Sequence, residues 1–195
     1  MVPEEVSVIV TSGPEVQRSL DSIRLQTQRP SETLLLDDPE HPVTRAWPGV
    51  TVVPRTGASR AAALNQGWTL ARHELLAFAD AWDVWPAERL AGQLAVMQGH
   101  PEIDMILGQA QPLAGRWAPA PSPGPHLGSA LIRRSVFSRV GLFDEAYPMS
   151  DLEWLTRVRA SGLNVVVREE VTLWTGSPPA GPGRCGPPGP LSISR

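Results

Sequence analysis

The sequence predicts a single α/β domain built on a mostly parallel central sheet with flanking helices. Short β-branched and apolar runs alternate with segments whose apolar residues recur every three or four positions. Each run is stopped by Pro, Gly or Asp, residues that end strands and open helices. The 195 residues have room for one core of ordinary size.

Val6-Ser7-Val8-Ile9-Val10 reads as a strand buried on both faces, stopped by Ser12-Gly13-Pro14. From Glu15 to Gln28, Val16, Leu20 and Ile23 fall on one helical face. Leu34-Leu35-Leu36 is a second strand, ended by Asp37-Asp38-Pro39, and Val50–Val53 is a third, ended by Pro54. A helix follows over 58–72, then a fourth strand over Leu75–Phe78. Pro86 opens another helix, with Leu90, Leu94 and Met97 facing inward and Gly99 closing it. Alternation at this spacing predicts right-handed βαβ units. Beyond it, Ile103–Leu107 and Gly128–Arg133 read as strands, Ser135–Val140 and Asp151–Ala160 as helices, and Asn164–Val167 and Val171–Trp174 as two more strands. Pro112 to Pro125 carries five prolines and reads as a loop. Gly176 to Pro190 carries six prolines and five glycines, a composition without the means to form a core. The expected organisation is one domain over 1–175 and a Pro/Gly-rich tail over 176–195.

A net charge of -3 gives no electrostatic footprint for nucleic acid or anionic membranes. All 17 basic residues are arginine, which excludes lysine Schiff bases and a P-loop. The single cysteine, Cys185, excludes an internal disulfide and a cysteine metal site. No apolar run of about 18 residues predicts a membrane span. The acidic start Met1-Val2-Pro3-Glu4-Glu5 is unlike a signal peptide, so the expected location is cytoplasmic.

Ligands of open parallel sheets bind beyond the carboxyl ends of the strands. Asp37 and Asp38 follow the second strand, and Asp80 and Asp83 follow the fourth. Carboxylates there suit a ribose or base that donates hydrogen bonds, or a Mg²⁺ or Mn²⁺ ion holding a diphosphate. An aspartate in a strand-to-helix loop equally serves as a helix cap. His41, His73, His100 and His126 show no ligand spacing and read as surface residues. Of the seven tryptophans, Trp68 and Trp154 read as core, while Trp82, Trp85, Trp117 and Trp174 suit the lining of a sugar groove.

Several of these segments, in their order, resemble family 2 glycosyltransferases of the GT-A, Rossmann-like fold. The first strand is followed by Ser22-Ile23-Arg24-Leu25-Gln26-Thr27, similar to "SI-x-x-QT", and by Leu36-Asp37-Asp38, similar to "V-D-D". Ala62-Ala63-Leu64-Asn65-Gln66-Gly67 is similar to "A-A-R-N-x-G", and Phe78-Ala79-Asp80-Ala81-Trp82-Asp83-Val84-Trp85-Pro86 to "F-L-D-A-D-D-x-W-P". Leu131–Arg134, Val140–Glu145 and Asp151–Arg157 close the resemblance, which spans residues 5 to about 175. It implies a nucleotide-sugar-binding domain that moves a sugar from a nucleotide diphosphate to an acceptor hydroxyl by an inverting displacement, with Mn²⁺ or Mg²⁺. It further implies Asp151 as general base, Thr11, Asp37, Arg60 and Asp80 as donor-nucleotide contacts, and Asp80 with Asp83 as metal ligands.

The sequence departs from the pattern at four places. The third D-x-D position is Trp82, whose indole ligates no Mg²⁺. Thr11-Ser12-Gly13-Pro14 replaces "P-T-Y-N", Ser150 stands before Asp151, and Thr172–Ser177 contains no histidine. A catalytically degenerate binding or scaffold protein is therefore the second reading. A nucleotidyltransferase of related fold is a third, against which stands the absence of a Gly-rich basic loop after the first strand.

Overall fold

The computed structural model describes residues 5–40, 42–113 and 126–176. His41, Trp117, Cys185, most of the Pro-rich loop and the tail after Gly176 lie outside them. The described strands form one eight-stranded sheet, ordered β3 (Thr51–Pro54), β2 (Glu32–Asp37), β1 (Val6–Thr11), β4 (Leu75–Ala79), β7 (Ala130–Arg133), β6 (Met105–Pro112), β8 (Val165–Thr175) and β5 (Asp83–Val84).

The first half follows the alternation read from the sequence. β1 (Val6–Thr11), β2 (Glu32–Asp37), β3 (Thr51–Pro54) and β4 (Leu75–Ala79) are all parallel, with β1 central. Every residue of β1 and of β4 is buried, as the unbroken apolar runs require. Registers Thr11↔Leu36 and Val10↔Ala79 bring the carboxyl ends of β2, β1 and β4 to one edge. At the opposite edge the buried Glu32 carboxylate accepts Ser7 Oγ at 2.6 Å and the Arg72 N and Nε at 2.9 and 2.7 Å. Burial would raise its pKa, but these donors outweigh it and hold the carboxyl below its ordinary value.

α1 runs only Val16–Arg24, shorter than its periodicity suggests. The next residues bond outward: Thr27 N donates to Ala87 O at 3.0 Å, and Gln26 Nε2 donates to Pro86 O at 2.7 Å. α2 spans Arg60–Leu70, with the Ser59 hydroxyl capping Ala62 N at 3.0 Å. Its Gly67 lies on β1, where an added Cβ would stand 2.4 Å from Ile9 Cγ2. α3 starts at Arg89 rather than Pro86, because Pro86–Arg89 is a turn closed by Arg89 N on Pro86 O.

The second half is mixed. β6 (Met105–Pro112) continues past Leu107, and a 3₁₀ turn over Leu127–Ser129 shortens the next strand, β7, to Ala130–Arg133. β7 runs antiparallel between β4 and β6. The two strands expected at 164–167 and 171–174 are one, β8 (Val165–Thr175), parallel to β6 across register shifts near Gln109. The two-residue β5 (Asp83–Val84), read as loop, pairs antiparallel with the end of β8.

Beneath the sheet, Phe78, Phe137, Phe143 and Trp154 form a cluster that seats α4 (Ser135–Val140) and α5 (Ser150–Ala160). Trp154 is fully buried, stacks on Phe137 at 4.7 Å, and donates Nε1 to Gly141 O at 2.8 Å. Burying such a ring contributes about 3–5 kcal/mol relative to alanine. No described helix is long and apolar enough to cross a membrane.

Candidate donor site

At the carboxyl edge of the sheet, four side chains from four separate segments join in one network. The Thr11 hydroxyl, at the end of β1, donates to Asp80 Oδ1 at 2.6 Å. Arg60, in the first turn of α2, donates Nε to the same oxygen at 2.7 Å and Nη1 to Asp151 Oδ1. The Arg60, Asp80 and Asp151 side chains are 34%, 25% and 27% exposed, so the cluster is open to a ligand.

Local sequence sets each position. Trp154, locked in the aromatic cluster, fixes the first turn of α5 three residues after Asp151. Asp151 does not cap its own helix: α5 has Met149 at its N-cap and no side-chain cap bond, and the carboxylate turns to Arg60 instead. The loop carrying Asp80 is clamped by the Ser22–Thr27 segment. Trp85 N donates to Ser22 Oγ at 3.1 Å, Leu90 N to Gln26 Oε1 at 3.0 Å, and Thr27 Oγ1 to Glu88 Oε2 at 2.8 Å. The role of that "SI-x-x-QT" segment is thus to hold the strand-end loop. Asn65 performs the same task across the site. Its amide donates to Phe143 O at 3.0 Å and accepts Phe143 N at 3.0 Å, tying the 141–145 turn to α2.

Electrostatics bind the network further. Burial opposes the Arg60 charge, but the Asp80 and then the Asp151 carboxylates outweigh it and raise the guanidinium above its ordinary value. Burial likewise opposes ionised Asp80, yet Arg60 and the Thr11 hydroxyl hold that carboxyl below its usual range.

Asp83, expected beside Asp80 as a second metal ligand, faces elsewhere. Only 3% exposed, it accepts Asp80 N on Oδ2 at 2.9 Å while its own N donates to Asp80 O, which closes the turn. Burial, then the Asp80 charge, push its carboxyl up to about 7. Its buried neighbour Arg89 stacks over Trp85 at 3.7 Å and is lowered by burial to about 9, Asp83 working against that fall. Asp37 sits at the neighbouring strand end, but its Oδ1 accepts Val43 N at 3.0 Å, and it has no bond to the Arg60 network. Asp38 pairs with Arg55 at 3.0 Å.

Other side chains lie away from the network or at its margin. Trp85 is in the core, not a groove, and the Trp82 indole packs against the same core cluster. Trp82 therefore does not fill the space between Asp80 and Asp151, which Arg60 takes. Arg157 is a structural clamp on Glu153, Val140 O and Leu142 O. His126, read as a surface residue, is half-buried at the site margin. Its Nδ1 accepts Gly128 N at 3.1 Å, and burial lowers its pKa against the upward pull of Asp80 and Asp151. No spacing in the sequence marks it, since the contact is made by the fold.

The donor set does not fit a divalent ion. Oδ1 of Asp80 already accepts two donors, Trp82 offers no ligand, Asp83 is turned into the turn it closes, and Asp151 is paired with Arg60. Among the described residues no group of three His, Cys, Asp or Glu is placed to hold a metal.

The fold is shared with solved structures, a mannosyltransferase among them. S. aureus TarS 1–349 matches with a TM-score of 0.70 at 15% identity, over 88% of this chain and 60% of that one. TarS 1–349 in complex with UDP-GlcNAc matches with a TM-score of 0.70 at 16% identity, over 89% and 59%. The mannosyltransferase PcManGT from Pyrobaculum calidifontis, in complex with GDP-Man and Mn²⁺, matches with a TM-score of 0.67 at 19% identity, over 92% and 60%. At such identities the likeness shows the fold alone, and the chain spans about three-fifths of the length of these solved chains. No curated protein matches the chain. The model of the family described as "Glycosyl transferase family 2" matches residues 7–123, more than half of the sequence, across all the strand ends that build the network. By that match and by its GT-A architecture, the chain belongs to glycosyl transferase family 2.

Proposed function

We propose that residues 1–175 form a nucleotide-sugar-binding domain that transfers a sugar to an acceptor hydroxyl with inversion. The observation that carries this reading is the convergence of Thr11, Arg60, Asp80 and Asp151 on one open edge of the sheet. Asp80 and Thr11 orient Arg60 toward the diphosphate, and Asp37 lies at the next strand end for the base. The acceptor oxygen attacks the anomeric carbon and forms the new bond. The bond to the phosphate oxygen breaks with its electron pair, and the hydroxyl proton passes to Asp151. Without donor, Arg60 holds Asp151; drawing the guanidinium toward the diphosphate frees the carboxylate to act. The resemblance calls for Mn²⁺ or Mg²⁺, but the donor set described above does not suit one, so no step is assigned to it. A cytoplasmic location accords with such a donor.

The test uses purified protein and a panel of nucleotide sugars, read by calorimetry and by donor hydrolysis. Asp151→Asn is expected to keep donor binding within about threefold and to cut turnover at least about 100-fold, as loss of a general base does. Binding without turnover in the unaltered protein favours the second reading, a non-catalytic binding or scaffold member. Trp82 at the third D-x-D position motivates that reading.

A further inference from the structure

We infer that Arg60 takes the place of the divalent cation in this chain, so that a nucleoside diphosphate binds without metal. The inference rests on the donor-site reading above and goes beyond it to the source of positive charge.

A hard cation at this edge needs carboxylate lone pairs directed at it and free to bind. Asp80 Oδ1 is engaged twice, by the Thr11 hydroxyl at 2.6 Å and by Arg60 Nε at 2.7 Å, which leaves a cation only Oδ2, beside the positive charge of the guanidinium. Asp151 Oδ1 is engaged by Arg60 Nη1. The guanidinium therefore bridges the two carboxylates left at this edge once Asp83 has turned inward. Trp82 supplies no ligand from the third D-x-D position, and it packs, half-buried, against the core. Asp83 is committed to the Asp80 backbone.

What remains is a fixed positive charge with the right shape for the task. With Nε held by Asp80, the Nη2 amino group and, once it leaves Asp151, Nη1 are available to a third anion. A planar guanidinium can meet phosphate oxygens in pairs, which a lysine cannot do. Arg60 is also the first residue of the 11-residue α2, and the N-terminal end of a helix dipole favours an anion. Ser59 caps that end with its hydroxyl, so no carboxylate cap competes with an incoming phosphate. The arginine of the "A-A-R-N-x-G" pattern is replaced by the buried Leu64, and Arg60 lies one helical turn earlier, toward the cleft. Charge lost at one turn is present at the next.

The experiment is titration calorimetry of the full chain with uridine and guanosine diphosphates, once in excess EDTA and once in Mn²⁺. The affinity of the unaltered protein is expected to agree within about twofold between the two conditions. Arg60→Ala is expected to lower it at least about tenfold in both, as loss of a charge-assisted contact does. Arg60→Lys, which keeps a charge without the fork, is expected to fall between them. Circular dichroism checks that the variants are folded; if Arg60→Ala is not, the EDTA comparison and Arg60→Lys still decide. Binding that appears only with Mn²⁺, or an Arg60→Ala affinity equal to that of the unaltered protein, overturns the inference while leaving the donor site standing. Absence of binding under every condition overturns both.

Discussion

Asp83 offers the sharpest numerical test of the site's construction. Its carboxyl is buried behind the Asp80 turn and pushed up to about 7, against 3.8 for the free group. Below 3.8 the folded and unfolded chains both hold the proton. Between 3.8 and about 7 the fold keeps it while the unfolded chain has lost it, so stability declines as pH rises. Above about 7 both are ionised and the loss is complete. At about 1.4 kcal/mol per pKa unit the total is about 4 kcal/mol, and a shift one unit smaller still leaves about 3. Asp83→Asn replaces the carboxyl with a neutral group of the same shape that can still accept Asp80 N. Its stability should therefore lack this slope. The assay is urea unfolding of both proteins, followed by tryptophan fluorescence, at about pH 4 and about pH 7.5. The upper limit lies just past the Asp83 transition. Titrating groups that do not interact with Asp83 are common to the two proteins and cancel in the difference. The variant should gain on the unaltered protein by about 3–4 kcal/mol between the two pH values. A difference that stays within about 0.5 kcal/mol across the range would refute the buried, protonated assignment.

Asn65→Ala removes both bonds to the Phe143 backbone and leaves that buried N–H unpaired, at an expected cost of about 2–3 kcal/mol in urea unfolding. A cost below about 0.5 kcal/mol would show that the 141–145 turn does not depend on α2. Gly67→Ala should destabilise by about 1–2 kcal/mol despite the helical preference of alanine, because the new methyl meets Ile9 Cγ2. Adding Ile9→Ala, which removes that methyl, should make the alanine at 67 tolerated; a stabilising Gly67→Ala on its own would contradict the contact.

Much of the first half was readable because its strands are buried on both faces and so appear as unbroken apolar runs. Val6–Val10 and Leu75–Phe78 are of this kind, and Thr11 and Asp80, which follow them, lie at strand ends for the same reason. The second half was less legible. Arg168-Glu169-Glu170 interrupts the apolar run of β8 and made one strand look like two. The strand passes through that stretch because its pairing to β6 shifts register there. β5 is two residues long and half polar, too short for any period to show; only its pairing with Thr175 and Trp174 makes it a strand.

Sequence by itself determined the layered α/β class, the family and the strand-end positions of Thr11, Asp37, Asp80 and Asp83, since burial and turn chemistry are written locally in residue types. Tertiary structure alone decided what those residues touch. Arg60 meets Asp151 across 91 positions of chain, Asp83 turns inward while Asp80 turns out, and His126 comes to the site margin. Local preference sets where a residue sits along its own element. The direction of a charged side chain depends on which distant partner repays its desolvation, and that partner exists only once the sheet has closed.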